Sequence, residues 1–162
     1  IGPCIAKKAE SQDKSIKGNA DYALTFGEIR AMMRAKSIQL EADSRTTQEA
    51  SVYGKRFGNS GGVTAAVIEC MKEKGVNEDI KVSKCNGAEE CKKALTLWKY
   101  GKFDDDFIEG MACVGGCVGG PSRHRDENVC RKNRDQLISS ADTRTVGENL
   151  SNYDLNKINM DR

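Results

Sequence analysis

Residues 109–121 constrain this chain more than any other stretch. They read Glu109-Gly110-Met111-Ala112-Cys113-Val114-Gly115-Gly116-Cys117-Val118-Gly119-Gly120-Pro121. Two cysteines stand four apart, with glycines between and after them. Glycine permits backbone angles closed to other residues and lets the chain approach a bulky body closely. Backbone N–H groups in such a loop can donate to an anionic group or to cluster sulfurs. Two readings follow: a thiolate grip on an inorganic cluster, or a glycine turn with two structural cysteines.

Cysteine use elsewhere favours the first. There are seven, at 4, 70, 85, 91, 113, 117 and 130. The number is odd and the 162-residue chain is neither small nor visibly secreted, so a disulfide framework fits poorly. Metal ligation by some, with the rest buried as small apolar groups, fits better. Cys70 and Cys91 fall on apolar helix stripes and read as core; Cys85 and Cys130 are left without a role. Gly2-Pro3-Cys4 reads as the end of a buried strand entering a loop, with Lys7 placed to face the same site as Cys4. Ile1 is not an initiator, so a longer parent polypeptide is expected.

The pass along the chain gives an α/β layer, a mainly parallel sheet flanked by helices. Thr25-Phe26-Gly27-Glu28 is a capping box opening a helix with Ile29, Met32 and Met33 on one face. Residues 41–60 read as helix-poor. A helix follows Gly61-Gly62, with Val63, Ala66, Val67, Cys70 and Met71 repeating at helical spacing up to Gly75. Strands are expected over 79–84 and 107–111. Between them a helix carries Ala88, Cys91, Ala94, Leu95 and Trp98 on a core-facing stripe. Beyond Pro121 the chain is strongly charged and reads as a solvated helix to about Leu137. Leu150, Tyr153, Leu155 and Ile158 are anchors for the tail. Ligands in such sheets sit beyond the carboxyl ends of strands, where Cys4 and Cys113 are placed.

The net charge is +2, with basic and acidic residues interspersed, so no nucleic-acid surface is indicated. No apolar run reaches the length of a membrane span, and no signal peptide is evident. The expectation is a soluble, cytoplasmic protein. His124, between Arg123 and Arg125, reads as a surface residue ahead of a ligand.

Together the two cysteine segments resemble the active-site domain of the iron-only, or di-iron, hydrogenases. Pro3-Cys4-Ile5-Ala6-Lys7-Lys8-Ala9-Glu10 is similar to the family's Pro-Cys-x-x-Lys-Lys-x-Glu. Glu109, Met111, Cys113, Gly116, Cys117 and Gly120 match its Glu-x-Met-x-Cys-x-x-Gly-Cys-x-x-Gly. Leu24 to Ile29 and Phe57 to Val63 are similar to two of its helix starts, in the same order. The resemblance covers about residues 1–121, one lobe of the domain, with 122–162 as a charged helical extension.

The resemblance implies a cubane 4Fe-4S cluster held by Cys4, Cys113 and Cys117, with Cys117 also bridging to a di-iron subsite. Lys7 would hydrogen-bond a cyanide ligand of that subsite, Met111 would pack against it, and Glu10 would lie near the proton route. The implied reaction is the reversible joining of two protons and two electrons into dihydrogen. A ferredoxin-like electron carrier, or fused redox or sensor domains, would be the partner. Two departures stand out. The family's upstream segment with consecutive cysteines, which supplies the fourth ligand, is not in this sequence, so the chain alone is not expected to assemble a complete site. Gly2 replaces a usual methionine, and Gly119-Gly120-Pro121 shortens the terminal glycine run. Both resemble divergent, sensory members. The alternatives are a non-catalytic iron–sulfur protein of the same fold, of cluster-assembly type, and zinc held by the same three cysteines.

Overall fold

A computed structural model describes residues 1–16, 18–41, 50–76 and 79–157. Ile158, expected as a tail anchor, lies outside them. The chain begins with an isolated parallel bridge between Gly2 and Thr25, with the Gly2 amide 3.0 Å from the Leu24 carbonyl. The buried strand expected before Cys4 is reduced to this one bridge. Helix α1 (Ala6–Glu10) follows directly. Helix α2 (Phe26–Ala35) starts at the capping box foreseen for it: Thr25 accepts from the Glu28 amide at 3.3 Å, and Glu28 accepts from the Thr25 amide at 2.8 Å.

Helix α3 (Val52–Lys55) lies in the stretch expected to be helix-poor. It is one turn long, too short for a hydrophobic period to show. Helix α4 (Gly62–Glu73) follows it closely. A Cβ at Gly62 would overlap the Arg56 carbonyl, so only glycine lets the end of α3 run into the start of α4. The expected stripe on α4 is only half-buried. Val63, Ala66, Val67, Cys70 and Met71 line an open groove of about 330 Å³ shared with Phe57 and Val146.

Strand β1 (Val82–Asn86) pairs in parallel with strand β2 (Phe107–Met111), from Val82 opposite Phe107 to Asn86 opposite Met111. β1 thus lies later than the 79–84 expected. Helix α5 (Ala88–Lys99) crosses between them, giving a βαβ unit. Its Ala94 is buried, but Leu95 and Trp98 are 54% and 66% exposed, against the expectation that both are core. Met32 of α2 is likewise 53% exposed. The reason is width. Two strands spaced about 4.8 Å apart cannot cover a whole helix stripe, so α5 buries only its centre line. Cys70 and Cys91, expected in the core, are half-buried.

Helix α6 (Glu127–Ser139) is capped by Asp126, whose side chain accepts from the Asn128 amide at 2.9 Å. Helix α7 (Val146–Leu150) has its own capping box, Thr145 with Glu148, and Glu73 of α4 accepts from the Val146 and Gly147 amides at 2.8 Å each. Among the described residues the buried apolar ones are Ala66, Cys85, Ala94 and Ile138. The accessible surface is 12430 Å², against about 7,900 Å² for a compact globule of this mass. Among the described residues large apolar side chains such as Tyr22, Leu40 and Trp98 are exposed. Among the described residues no helix is long and apolar enough to cross a membrane.

Candidate functional site

The cysteine loop leaves the carboxyl end of β2, where an α/β sheet presents its ligands. Three neighbours hold it. Asn86, the last residue of β1, turns its Oδ1 onto the Gly115 amide at 2.7 Å. The Gly58 carbonyl, in the turn before α4, accepts from the Cys117 amide at 2.7 Å. Arg134 of α6 donates to the Gly115 carbonyl at 3.3 Å. Within the loop, the Gly116 amide closes on the Cys113 carbonyl and the Gly120 amide on the Cys117 carbonyl, each at 3.0 Å. Gly116 has φ 85°, and a Cβ there would overlap the Gly58 carbonyl. Both the left-handed angle and the close approach demand glycine.

The segment before Cys4 packs on the far end of the same loop. The Pro3 carbonyl accepts from the Ser122 amide at 3.1 Å, and a Cβ at Gly120 would sit 3.1 Å from the Pro3 Cβ. The structure thus brings the Cys4 segment and the Cys113–Cys117 loop together across 109 residues of chain. Cys4 and Cys113 are half-buried and Cys117 is exposed.

Glu109 is the buried carboxylate of the neighbourhood, 5% exposed. It accepts from the Gly61 and Thr64 amides at 2.9 Å each and from the Thr64 hydroxyl at 2.5 Å. Burial alone would push its pKa up. The Thr64 hydroxyl and amide, with the amides of Gly61 and Val63, outweigh burial and hold it below the ordinary value. The carboxylate caps α4, whose own N-cap, Gly61, has no side chain to do so.

The expected basic residue Lys7 is exposed and ion-paired with Glu10 within α1. Lys8 reaches across to Glu28 at 2.8 Å and to the Ala23 carbonyl at 3.0 Å, tying α1 to the start of α2. The Lys8 ammonium, with the Thr25 amide and hydroxyl, lowers the Glu28 pKa to about 2. Met111 ends β2; its carbonyl accepts from the Gly87 amide at 2.7 Å, and its side chain is half-buried. His124 stacks edge-on against Phe26, centroids 5.8 Å apart, with Nδ1 3.2 Å from Arg30, as a surface residue would. Burial pushes the Cys85 thiol up, helped by Cys91 and Glu90.

Sequence reasoning missed three supports of the loop, Asn86, Gly58 and Arg134, and the close packing of Arg131 against it. The charged stretch 123–134 was expected to be a solvated face. Instead Arg134 binds the loop, and a Cβ at Gly115 would overlap the Arg131 guanidinium. The only advance signal was the density of arginines just beyond the loop.

Three thiols with a glycine-built surround suit an iron–sulfur group, whose irons sit at separate corners and take one thiolate each. Asn59, whose Cα lies within 2.9 Å of a Cβ built at Gly116, keeps a buried Oδ1 with no partner. That oxygen is an acceptor left without a donor beside the loop. A single ion would need ligands that converge on one point. Among the described residues no three His, Cys, Asp or Glu side chains are gathered in that way.

The sequence profile of the iron only hydrogenase large subunit, C-terminal domain, matches residues 1–121. The chain belongs to that family. It is 31% identical to the periplasmic [Fe] hydrogenase large subunit of Nitratidesulfovibrio vulgaris, over 74% of this chain and 37% of the relative. Iron hydrogenase 1 of Clostridium pasteurianum is 29% identical, over 74% of this chain and 27% of the relative. The human nuclear prelamin A recognition factor is 23% identical, over 82% and 38%. The chain therefore spans about a third of the length of these curated relatives.

Proposed function

We propose that this chain is the cluster-gripping lobe of an iron-only hydrogenase domain, acting in the full-length protein as an enzyme or a hydrogen sensor. The observation that carries the reading is the docking of the Cys4 segment onto the Cys113–Cys117 loop through Pro3, Gly120 and Ser122. Cys4, Cys113 and Cys117 would hold the 4Fe-4S cluster, with Cys117 shared with the di-iron subsite. When bound, this group supplies the electrons and the place where two protons become dihydrogen.

The chain's own residues orient and protonate. Asn86, Gly58 and Arg134 fix the loop so that the thiolates need not reorganise. Lys7, an exposed ammonium three residues after Cys4, would turn from Glu10 to an anionic ligand. Glu10, which holds Lys7 in this arrangement, would lie near the route of the proton. Met111 shields the site with a soft apolar side chain. Residues 1–121 would form the active-site lobe and 122–162 an extension that braces it. An electron carrier such as a ferredoxin, or a fused redox or sensor domain, would complete the chemistry. Cytoplasmic placement belongs to the same proposal; one relative is named periplasmic, so cell fractionation decides it.

A second reading is a non-catalytic iron–sulfur protein of the same fold; the chain's likeness reaches the human nuclear prelamin A recognition factor as well as the hydrogenases. Infrared spectra of the matured full-length protein separate the two. Bands of carbonyl and cyanide, with proton-dependent dihydrogen evolution, are expected. Their absence from a fully iron-loaded protein would overturn the hydrogenase reading.

A further inference from the structure

We infer that Glu109 is a positioning residue for Cys117, acting through the start of α4. This rests on the role proposed for Cys117, but its geometry stands apart from any bound group. Glu109 and Cys117 lie on one segment, eight residues apart. They grip the same turn, residues 58–64, at two points. Glu109 takes the Gly61 and Thr64 amides and the Thr64 hydroxyl. Cys117 gives its own amide to the Gly58 carbonyl at 2.7 Å. The Asn59 amide closes the turn onto the Arg56 carbonyl at 2.8 Å.

The segment from Glu109 to Cys117 and the turn from Gly58 to Thr64 thus form a closed loop of contacts. The carboxylate is its buried anchor. Thr64 is 1% exposed and Glu109 5%, so neither has water to fall back on. With the anchor gone, the Gly61, Val63 and Thr64 amides at the start of α4 lose their capping anion. The turn then loses its fixed position relative to β2. Gly58 moves with the turn, and the Cys117 amide loses its acceptor. The Cys4 side of the loop is held separately, through Pro3. Glu109 therefore governs the placement of Cys117 more than that of Cys4.

The test is hydrogen exchange read by mass spectrometry on the full-length protein, comparing wild type with Glu109→Ala and Glu109→Gln. In Glu109→Ala, peptides spanning 58–66 and 113–121 should both exchange about tenfold faster. A peptide spanning 146–157, whose helix is capped by Glu73, should be unchanged. Glu109→Gln keeps an oxygen that can accept, and should restore part of the protection in both peptides. If Glu109→Ala does not fold, Thr64→Val carries the same comparison, since it removes the buried hydroxyl and keeps the amide. Faster exchange at 58–66 with 113–121 unchanged would overturn the inference, leaving Glu109 a helix cap alone. So would a uniform rise in every peptide, which marks general destabilisation. Neither readout needs a cluster, so failure of the hydrogenase reading leaves this result standing.

Discussion

Asn86→Ala removes the hydrogen bond that joins the end of β1 to the cysteine loop. The bond is short, 2.7 Å from the Gly115 amide to Oδ1, and both residues are half-buried. A net protein hydrogen bond contributes about 0.5–1.5 kcal/mol, and a buried donor left unpaired costs about 1–3 kcal/mol. Partial access to water at Gly115 places the cost near the middle, about 1–2 kcal/mol. That corresponds to roughly 5–30-fold more frequent opening of the loop. The backbone of Asn86 is unaffected, since its amide is held by Glu90 at 2.8 Å. The strand pairing should therefore survive. Hydrogen exchange over 113–121 reads the opening directly, with a peptide over 82–86 as the control. An unchanged rate at 113–121 would refute the claim that β1 holds the loop. Equal acceleration in both peptides would show that Asn86 acts on the sheet instead.

Gly116→Ala places a side chain at φ 85° and against the Gly58 carbonyl. It should cost at least about 2 kcal/mol by urea denaturation; a neutral effect would mean that the turn is not tight. Trp98→Ala should change stability by no more than about 0.5 kcal/mol, because the ring is 66% exposed, whereas a loss of about 3–5 kcal/mol would restore its reading as core. Glu109 has a depressed pKa, so its stabilisation is fully present above the ordinary value of 4.5 and fades as pH falls through the lower folded value. The gap in denaturation midpoint between wild type and Glu109→Gln should hold from neutral pH down past 4.5 and close only below it. A gap already closing above 4.5 would show that the carboxylate's pKa is not depressed.

The tight turn at Cys113–Cys117 was legible because its signal is local: glycines stand between and after the two cysteines. The capping box at Thr25 was legible for the same reason, since Thr25 and Glu28 meet within one helical turn. Strand β2 declared itself through Phe107 and Ile108 running into the glycine loop. What the sequence hid was long-range. Nothing near Glu109 announces that its partner is a helix start 45 residues earlier. Nothing near Asn86 marks it as a ligand for Gly115, because an Asn-Gly pair reads first as a turn. The stripe on α5 was read correctly as apolar and wrongly as covered. Periodicity reports which face is apolar, whereas the width of the two-stranded sheet decides how much of that face is buried.

The most direct test is iron content in the matured full-length protein, compared across single Cys→Ser variants. Cys4, Cys113 and Cys117 should each lose most of the cubane iron when substituted, while Cys70, Cys85, Cys91 and Cys130 should retain it. Full iron retention in Cys4→Ser, or a loss in Cys130→Ser as deep as in Cys117→Ser, would contradict the account.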